Sequence, residues 1–171
     1  MANPAPAEYD LNEMALDGLA LLDHLEVDKA HIVGASMGGM IAQVMALNYP
    51  GRVSTLTAIM STPGFDTPGL SGPHRVFKDA MKDSMVLNFL EQEEEALVVI
   101  ERALTGSRFA FDETLVRQEA RKRLQQGINT TNAQIAAVGA SPNRFDRLQE
   151  IQIPTLIVHG TEDPLIPIDH G

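Results

Sequence analysis

Residues 30–43 read Ala-His-Ile-Val-Gly-Ala-Ser-Met-Gly-Gly-Met-Ile-Ala-Gln, and this stretch decides the fold. Its first part is short, apolar and partly β-branched and ends at Gly34, which is typical of a strand. Its second part continues as a mostly apolar segment to Tyr49, where Pro50-Gly51 would stop a helix. The stretch therefore predicts a strand, a tight turn and a helix.

The same kinds of element continue on both sides of this stretch. Residues 11–27 carry apolar side chains at helical spacing, and Asp10 followed by Glu13 predicts a capping box. Residues 53–61 form a second apolar, β-branched run, and 154–159 predict a third strand, buried like the others. Helices alternating with strands over short connections predict an α/β fold, a parallel sheet with flanking helices.

A helical insertion is predicted between the second and third strands. The chain has 171 residues, enough for one domain or one domain with an insertion. After a segment rich in proline and glycine, four helical patterns follow, at about 74–88, 92–105, 112–126 and 130–140. We expect 1–61 and 149–171 to form an incomplete α/β core, and 62–148 to form an all-helical cap.

Composition excludes several classes of protein. The chain has 13 Lys and Arg against 23 Asp and Glu, a net charge of −10, which argues against a nucleic-acid-binding surface. It has no cysteine, which excludes disulfides, thiolate metal sites and a cysteine nucleophile. Its amino terminus has no secretory signal pattern, and its longest uncharged stretch is too polar to span a membrane. We expect a soluble, cytoplasmic protein without nucleic-acid or membrane partners.

The turn at residues 34–38, Gly-Ala-Ser-Met-Gly, has the G-x-S-x-G pattern of a nucleophile elbow. A sharp turn between strand and helix strains Ser36, and we expect the bare Cα atoms of Gly34 and Gly38 to provide the room. The turn places the hydroxyl at a helix N-terminus, where free N–H groups favour developing negative charge. A dinucleotide loop fits less well, because Met40 stands where a third glycine is expected.

A second group of polar residues follows the third predicted strand. Asp163, in a turn just before Pro164, can orient a histidine and stabilise it when protonated. Glu162 is its neighbouring competitor and is expected to be solvated. A metal site is disfavoured, because the spacing of the available ligands matches no compact motif: His159, Glu162, Asp163 and His170.

Residues 30–43 and 154–164 together resemble the α/β-hydrolase fold family, in particular its serine esterase branch similar to aclacinomycin methylesterase. The resemblance implies a catalytic role for three residues. Ser36 would be the nucleophile, Asp163 the acid of the catalytic triad, and the backbone N–H of Met37 one donor of the oxyanion hole. It also implies a small-molecule ester substrate and a reaction that needs neither cofactor nor metal.

Two parts of that family's pattern are not found in this sequence. Family members carry a His-Gly loop before the elbow, which gives a second oxyanion donor, and a catalytic histidine after one further helix and strand. His170 is only seven residues past Asp163 and is expected to begin a helix rather than act as the base. We therefore expect an interior piece of a serine hydrolase, inactive by itself, whose bare sheet edges promote homo-oligomers.

The elbow leaves other functions open. A cofactor-free haloperoxidase-like perhydrolase, a lyase or a carbon–carbon hydrolase of the same fold can use the same turn. A non-catalytic binding relative can keep the turn and lose the base. A carboxylic ester hydrolase that works through an acyl-enzyme on Ser36 is the main hypothesis.

Overall fold

The structure, a computed structural model, describes residues 7–126 and 131–171, with the backbone alone at 131 and 132. Strands and helices follow the predicted order, and each boundary lies within a few residues of the prediction. In the described ranges they are α1 (Leu11–His24), β1 (Ala30–Ala35), α2 (Met37–Asn48), β2 (Val53–Ile59), α3 (Arg75–Phe89), α4 (Glu93–Leu104), α5 (Glu113–Gln125), α6 (Thr131–Ala140) and β3 (Thr155–Val158). Short 3-10 turns occur at Pro50–Arg52, Phe145–Glu150 and Ile168–His170. No helix in the described ranges is long and apolar enough to cross a membrane.

The three strands form one parallel sheet in the order β1-β2-β3, which confirms the predicted α/β architecture. Ala35 pairs with Ile59, and Ile59 pairs with Val158. The last residues of all three strands therefore stand in one row. In open parallel sheets, catalytic and ligand-binding groups collect at this carboxyl edge.

The first helix begins where the sequence predicts. The side chain of Asp10 accepts hydrogen bonds from the N–H groups of Asn12 and Glu13, and the side chain of Glu13 accepts one from the N–H of Asp10. This reciprocal pairing is the predicted capping box, and it satisfies amides that a helix leaves without partners.

The helix ends at His24, before Glu26, whose φ of 54° is incompatible with a continuing helix.

The core lies between α2 and the sheet. Ala42 and Ala46 of α2 are almost fully buried together with Leu56 of β2. Ile32, Ile151 and Ile153 pack at the margin of this cluster. Small side chains on α2 let its backbone approach the sheet closely, which brings the beginning of the helix next to the strand ends.

The third strand is present, but the prediction that it is buried is wrong. All four of its residues are exposed, and Leu156 retains 56% of its accessible surface. In the part of the chain that the structure describes, β3 pairs with β2 alone and therefore stands at the edge of the sheet. An apolar sequence predicts that a strand is suited to burial, but neighbouring elements decide whether it is buried.

The chain divides into two compact units. The larger comprises 1–70, 130–159 and 170–171, and the smaller comprises 71–129 and 160–169, in each case without the residues outside the described ranges. The smaller unit contains α3, α4 and α5, whereas α6 belongs to the larger one. The helical cap predicted at 62–148 remains a prediction, and its boundaries differ from those of the smaller unit.

The smaller unit is held together by three helices and a loop. Arg117 on α5 bonds to Glu94 on α4 and to Glu113 on its own helix, which ties the two helices through charged groups. The loop 160–169 is attached to the helical segment by backbone and side-chain hydrogen bonds. The N–H of His74 donates to the carbonyl of Pro164 at 2.7 Å, and Ser107 donates to the carboxylate of Glu162.

Candidate active site

Ser36 occupies a strained turn between β1 and α2. Its φ is 52° and its ψ is −120°, a conformation that residues with side chains rarely adopt. The turn is fixed to the neighbouring strand, because the N–H of Ser36 donates to the carbonyl of Ile59 at 2.8 Å. The sharp bend predicted from the sequence is thus present, and it makes Ser36 the N-cap residue of α2.

Close approach requires a glycine at two positions of this turn. A Cβ at Gly34 would lie 2.1 Å from the carbonyl oxygen of Gly38, and a Cβ at Gly39 would lie 2.6 Å from the Cβ of Ser61. A Cβ at Gly38 would meet nothing within 4 Å. The expectation that Gly38 provides room is therefore wrong, because a side chain at that position would point into open space.

Ser61 is a supporting residue that the sequence analysis did not identify. It follows β2 by two residues, is 4% exposed, and its hydroxyl donates to the carbonyl oxygen of Ser36 at 2.9 Å. The contact joins residues 25 positions apart, so no local pattern shows it. The sequence offers one signal for this contact: Ser61 follows the second predicted strand, and in a parallel sheet the end of that strand lies next to the end of the first.

The side chain of Ser36 is partly exposed, and its hydroxyl makes no hydrogen bond to any residue that the structure describes. The amide of Met37 is the first in α2, and a first amide has no acceptor within its own helix. The hydroxyl thus stands beside a backbone donor at the positive end of a helix dipole. This arrangement can stabilise an oxyanion formed when the hydroxyl attacks a carbonyl carbon.

Asp163 lies in the loop that follows β3 and belongs to the smaller unit, whereas Ser36 belongs to the larger. One carboxylate oxygen, Oδ1, accepts the N–H groups of Leu165 and Ile166, each at 2.9 Å. These bonds fix the orientation of the carboxylate within its own loop. The adjacent Glu162 is exposed, as expected, but it is also bonded, because the N–H and hydroxyl of Ser107 hold the pKa of its carboxyl below the usual range.

The five histidines are spread over the fold. His31 bonds to Thr55 across β1 and β2 through Nδ1, and His170 bonds to Thr62 through Nδ1 at 2.8 Å. His170 lies in the 3-10 turn 168–170, and the expectation that it begins a helix stays a prediction. The remaining three lie at the end of α1, before α3 and directly after β3: His24, His74 and His159. Among the residues described, no group of three or more His, Asp or Glu could hold a metal ion.

Comparison with known proteins agrees with this geometry. A family profile described as the alpha/beta hydrolase fold matches residues 3–171, which is nearly the whole chain. The chain belongs to the α/β-hydrolase fold family. The fold and the esterase-type resemblance predicted from the sequence are thereby confirmed.

Relatives in the α/β-hydrolase family act on more than one kind of bond. The 2-hydroxy-6-oxo-6-phenylhexa-2,4-dienoate hydrolase of Burkholderia cepacia is 31% identical over 173 aligned positions, covering 94% of this chain and 55% of that protein. Rhodomycin D methylesterase of Streptomyces peucetius is 32% identical, with 95% of this chain and 61% of that protein covered. A solved structure of Est816, described as an N-acyl homoserine lactone degrading enzyme, matches with a TM-score of 0.66 at 26% identity, covering 98% of this chain and 62% of that one. The chain thus spans little more than half the length of these α/β-hydrolase relatives.

Proposed function

We propose that the chain carries the nucleophile of a serine hydrolase that cleaves small-molecule carboxylic esters. The observation that supports this most strongly is the backbone of Ser36, a non-glycine residue with φ of 52° at the beginning of α2. Such strain persists only where surrounding contacts hold it, and it collects at functional sites. A methylesterase among the relatives supports the ester as the bond that is cleaved.

The proposed reaction proceeds through an acyl-enzyme. A histidine base takes the proton of the Ser36 hydroxyl as its oxygen attacks the ester carbonyl carbon. The N–H of Met37 and a second donor stabilise the tetrahedral oxyanion. Its collapse breaks the bond to the alcohol, which leaves with the proton from the histidine, and water then hydrolyses the acyl-enzyme by the same steps in reverse order.

Asp163 is proposed as the acid that orients this histidine and stabilises its protonated form. Its Oδ1 is held by two backbone amides, so the direction of the whole carboxylate is set by the loop. Neither His31 nor His170 suits the role of base by its contacts, since each is bonded to a threonine. We therefore propose neither of them as the base.

A second candidate is hydrolysis of a carbon–carbon bond. It is supported by relatives named as 2-hydroxy-6-oxodienoate hydrolases, of which one is 31% identical to this chain. The two candidates share a serine elbow, and substrates distinguish them. A panel should compare p-nitrophenyl and methyl esters with a 2-hydroxy-6-oxo-dienoate, whose conjugated chromophore disappears on cleavage. Turnover of the dienoate without ester turnover would replace the first candidate with the second.

The nucleophile is tested by covalent labelling. A fluorophosphonate probe is applied to the 171-residue chain and, in parallel, to the longest form in which the protein can be produced. We expect mass spectrometry to place the adduct on Ser36, and we expect Ser36→Ala to abolish it. Ser54→Ala, which removes a serine on β2 away from the turn, is the matched control. An unlabelled Ser36 in both forms would contradict the proposal and favour a non-catalytic binding relative.

We also propose that the exposed sheet edges promote self-association. In the described ranges β1 and β3 each pair on one side only, and Val33 and Leu156 are more than half exposed. Unpaired edges with apolar side chains are templates for pairing with another chain. Light scattering of the 171-residue chain should show oligomers, whereas a stable monomer at high concentration would refute this.

A further inference from the structure

Two strained turns lie next to each other at the carboxyl edge of the sheet. Ser36 follows β1 with φ of 52°, and Met60 follows β2 with φ of 41°. The turns are neighbours because Ala35 pairs with Ile59. Met60 is itself held by its N–H, which donates to the carbonyl of Val158 at 2.8 Å. A strained backbone at a second non-glycine residue indicates that surrounding contacts also hold the segment after β2 in one conformation.

This conformation of the segment after β2 places Ser61 in contact with the turn that contains Ser36. Ser61 is 4% exposed, and its hydroxyl donates to the carbonyl oxygen of Ser36 at 2.9 Å. Its Cβ faces Gly39 so closely that a methyl group at Gly39 would overlap it. A buried side chain packed this tightly has little freedom to rotate, so its hydroxyl is fixed in direction.

The carbonyl oxygen of Ser36 accepts three donors. The N–H groups of Gly39 and Met40 reach it from within α2 at 3.0 and 3.2 Å, and the hydroxyl of Ser61 reaches it from the end of β2. A carbonyl oxygen has two lone pairs, so the two helical donors share one and Ser61 occupies the other. Gly38 and Gly39 lower the helix propensity of the first turn of α2, and the bond from Ser61 adds a constraint on this carbonyl from outside the helix.

The orientation of this carbonyl also sets the orientation of the next amide. The oxygen of Ser36 and the N–H of Met37 belong to one planar trans peptide and point in opposite directions. We propose that Ser61, through the carbonyl of Ser36, fixes the direction of the Met37 N–H and is a positioning residue for oxyanion binding. This inference rests on the proposed function of Ser36. It assigns a role to a side chain that does not touch the substrate.

The first test separates transition-state stabilisation from substrate binding. In the longest form in which the protein can be produced, with p-nitrophenyl acetate as the probe, Ser61→Ala should lower kcat by about 10-fold and leave KM within about twofold, because an oxyanion donor acts on the transition state. Ser61→Thr keeps a hydroxyl and should recover most of the loss. Ser141→Ala is the matched control, since it also removes a serine bonded to a carbonyl, that of Ala137 at 2.7 Å, outside the elbow.

The second test measures the orientation directly and does not depend on activity. In the partially aligned 171-residue chain, the residual dipolar coupling of the Met37 N–H should change in Ser61→Ala, while couplings in the middle of α2 stay constant. In Ser141→Ala the Met37 coupling should remain at its wild-type value.

The outcomes separate this inference from the proposed function. A Met37 coupling unchanged by Ser61→Ala would overturn the inference, even if Ser36 is the nucleophile. A rise in KM by about 10-fold, without a fall in kcat, would overturn it too. If the wild-type protein is neither labelled nor active, the proposed function fails, and the dipolar coupling still decides whether Ser61 orients the peptide.

Discussion

The Nε of Arg144 donates a hydrogen bond to Oε1 of Gln43 at 3.2 Å, so a buried cation is held by a neutral amide. The guanidinium also donates to the carbonyls of Thr62 and Pro142, and Arg144 is 5% exposed. Burial lowers its pKa to about 10, which still leaves it protonated at neutral pH. Arg144 thus joins the middle of α2 to the segment that follows β2.

We predict that Arg144→Met destabilises the chain by about 3 kcal/mol, because it leaves several buried acceptors without a donor. Urea denaturation followed by circular dichroism measures the loss. The difference from wild type should be constant from about pH 6 to 8, since the group does not titrate there. Arg147→Met, which removes an exposed ion pair with Glu150, should have a much smaller effect. Similar losses in the two variants would refute the assignment.

A matched pair of glycine substitutions tests the geometry of the elbow. Gly34→Ala should destabilise the chain by more than about 3 kcal/mol or prevent folding, because its Cβ would overlap the backbone of Gly38. Gly38→Ala should change stability by no more than about 1 kcal/mol, since alanine favours the helix and meets open space. Thermal unfolding of both variants provides the measurement. Equal tolerance at the two positions would show that the turn differs from the one described.

Substitutions in the loop after β3 test which carboxylate serves the triad. Asp163→Asn keeps the Oδ1 acceptor for Leu165 and Ile166, so the loop should persist while the charge is lost. In the longest form in which the protein can be produced, we expect kcat to fall by about 10³–10⁴-fold if Asp163 is the triad acid, because the charge that stabilises the histidine is removed. Glu162→Gln is the control and should leave kcat nearly unchanged, because its carboxylate bonds to Ser107. A larger effect at Glu162 would reverse the assignment.

The ion pairs between α4 and α5 predict an acid-sensitive region. Hydrogen bonds from Arg121 and Arg117 hold the pKa of Glu94 below its usual range. A carboxyl whose folded-state pKa is lowered stabilises the fold above the unfolded-state value of about 4.5, and this stabilisation is lost as the pH falls further. Helical circular dichroism should therefore decline below about pH 4.5, and Glu94→Gln should weaken that dependence. Glu93→Gln, at a neighbouring position without an ion pair among the described residues, should retain the wild-type curve.

Local patterns predicted the elements of this fold well. The apolar run before Gly34, the capping box at Asp10 and the prolines and glycines between helices each act over a few residues, so the sequence displays them directly. Features that depend on distant partners were missed. Ser61 meets Ser36 across 25 positions and Arg144 meets Gln43 across 101, and neither contact leaves a local signal.

The errors have the same physical origin. An apolar strand was expected to be buried, but β3 stands at the edge of the sheet among the described residues. The spacing G-x-S-x-G suggested that both flanking glycines relieve crowding, whereas three-dimensional packing puts the second close approach at Gly39. Composition and spacing state which residues are available, and packing decides which of them are constrained.

The unequal crowding around the elbow bears on how such proteins can change. Position 38 opens onto free space, so a mutational library there can introduce new side chains beside Ser36 without disturbing the bend. A Cβ at position 34 or 39 would overlap neighbouring atoms, so we expect variants at these positions to fold poorly. Such variants would be lost from a library before any selection for altered substrate preference. Sequence searches for distant relatives would be more sensitive if they required glycine at the first glycine of G-x-S-x-G, position 34, and allowed other residues at the second, position 38.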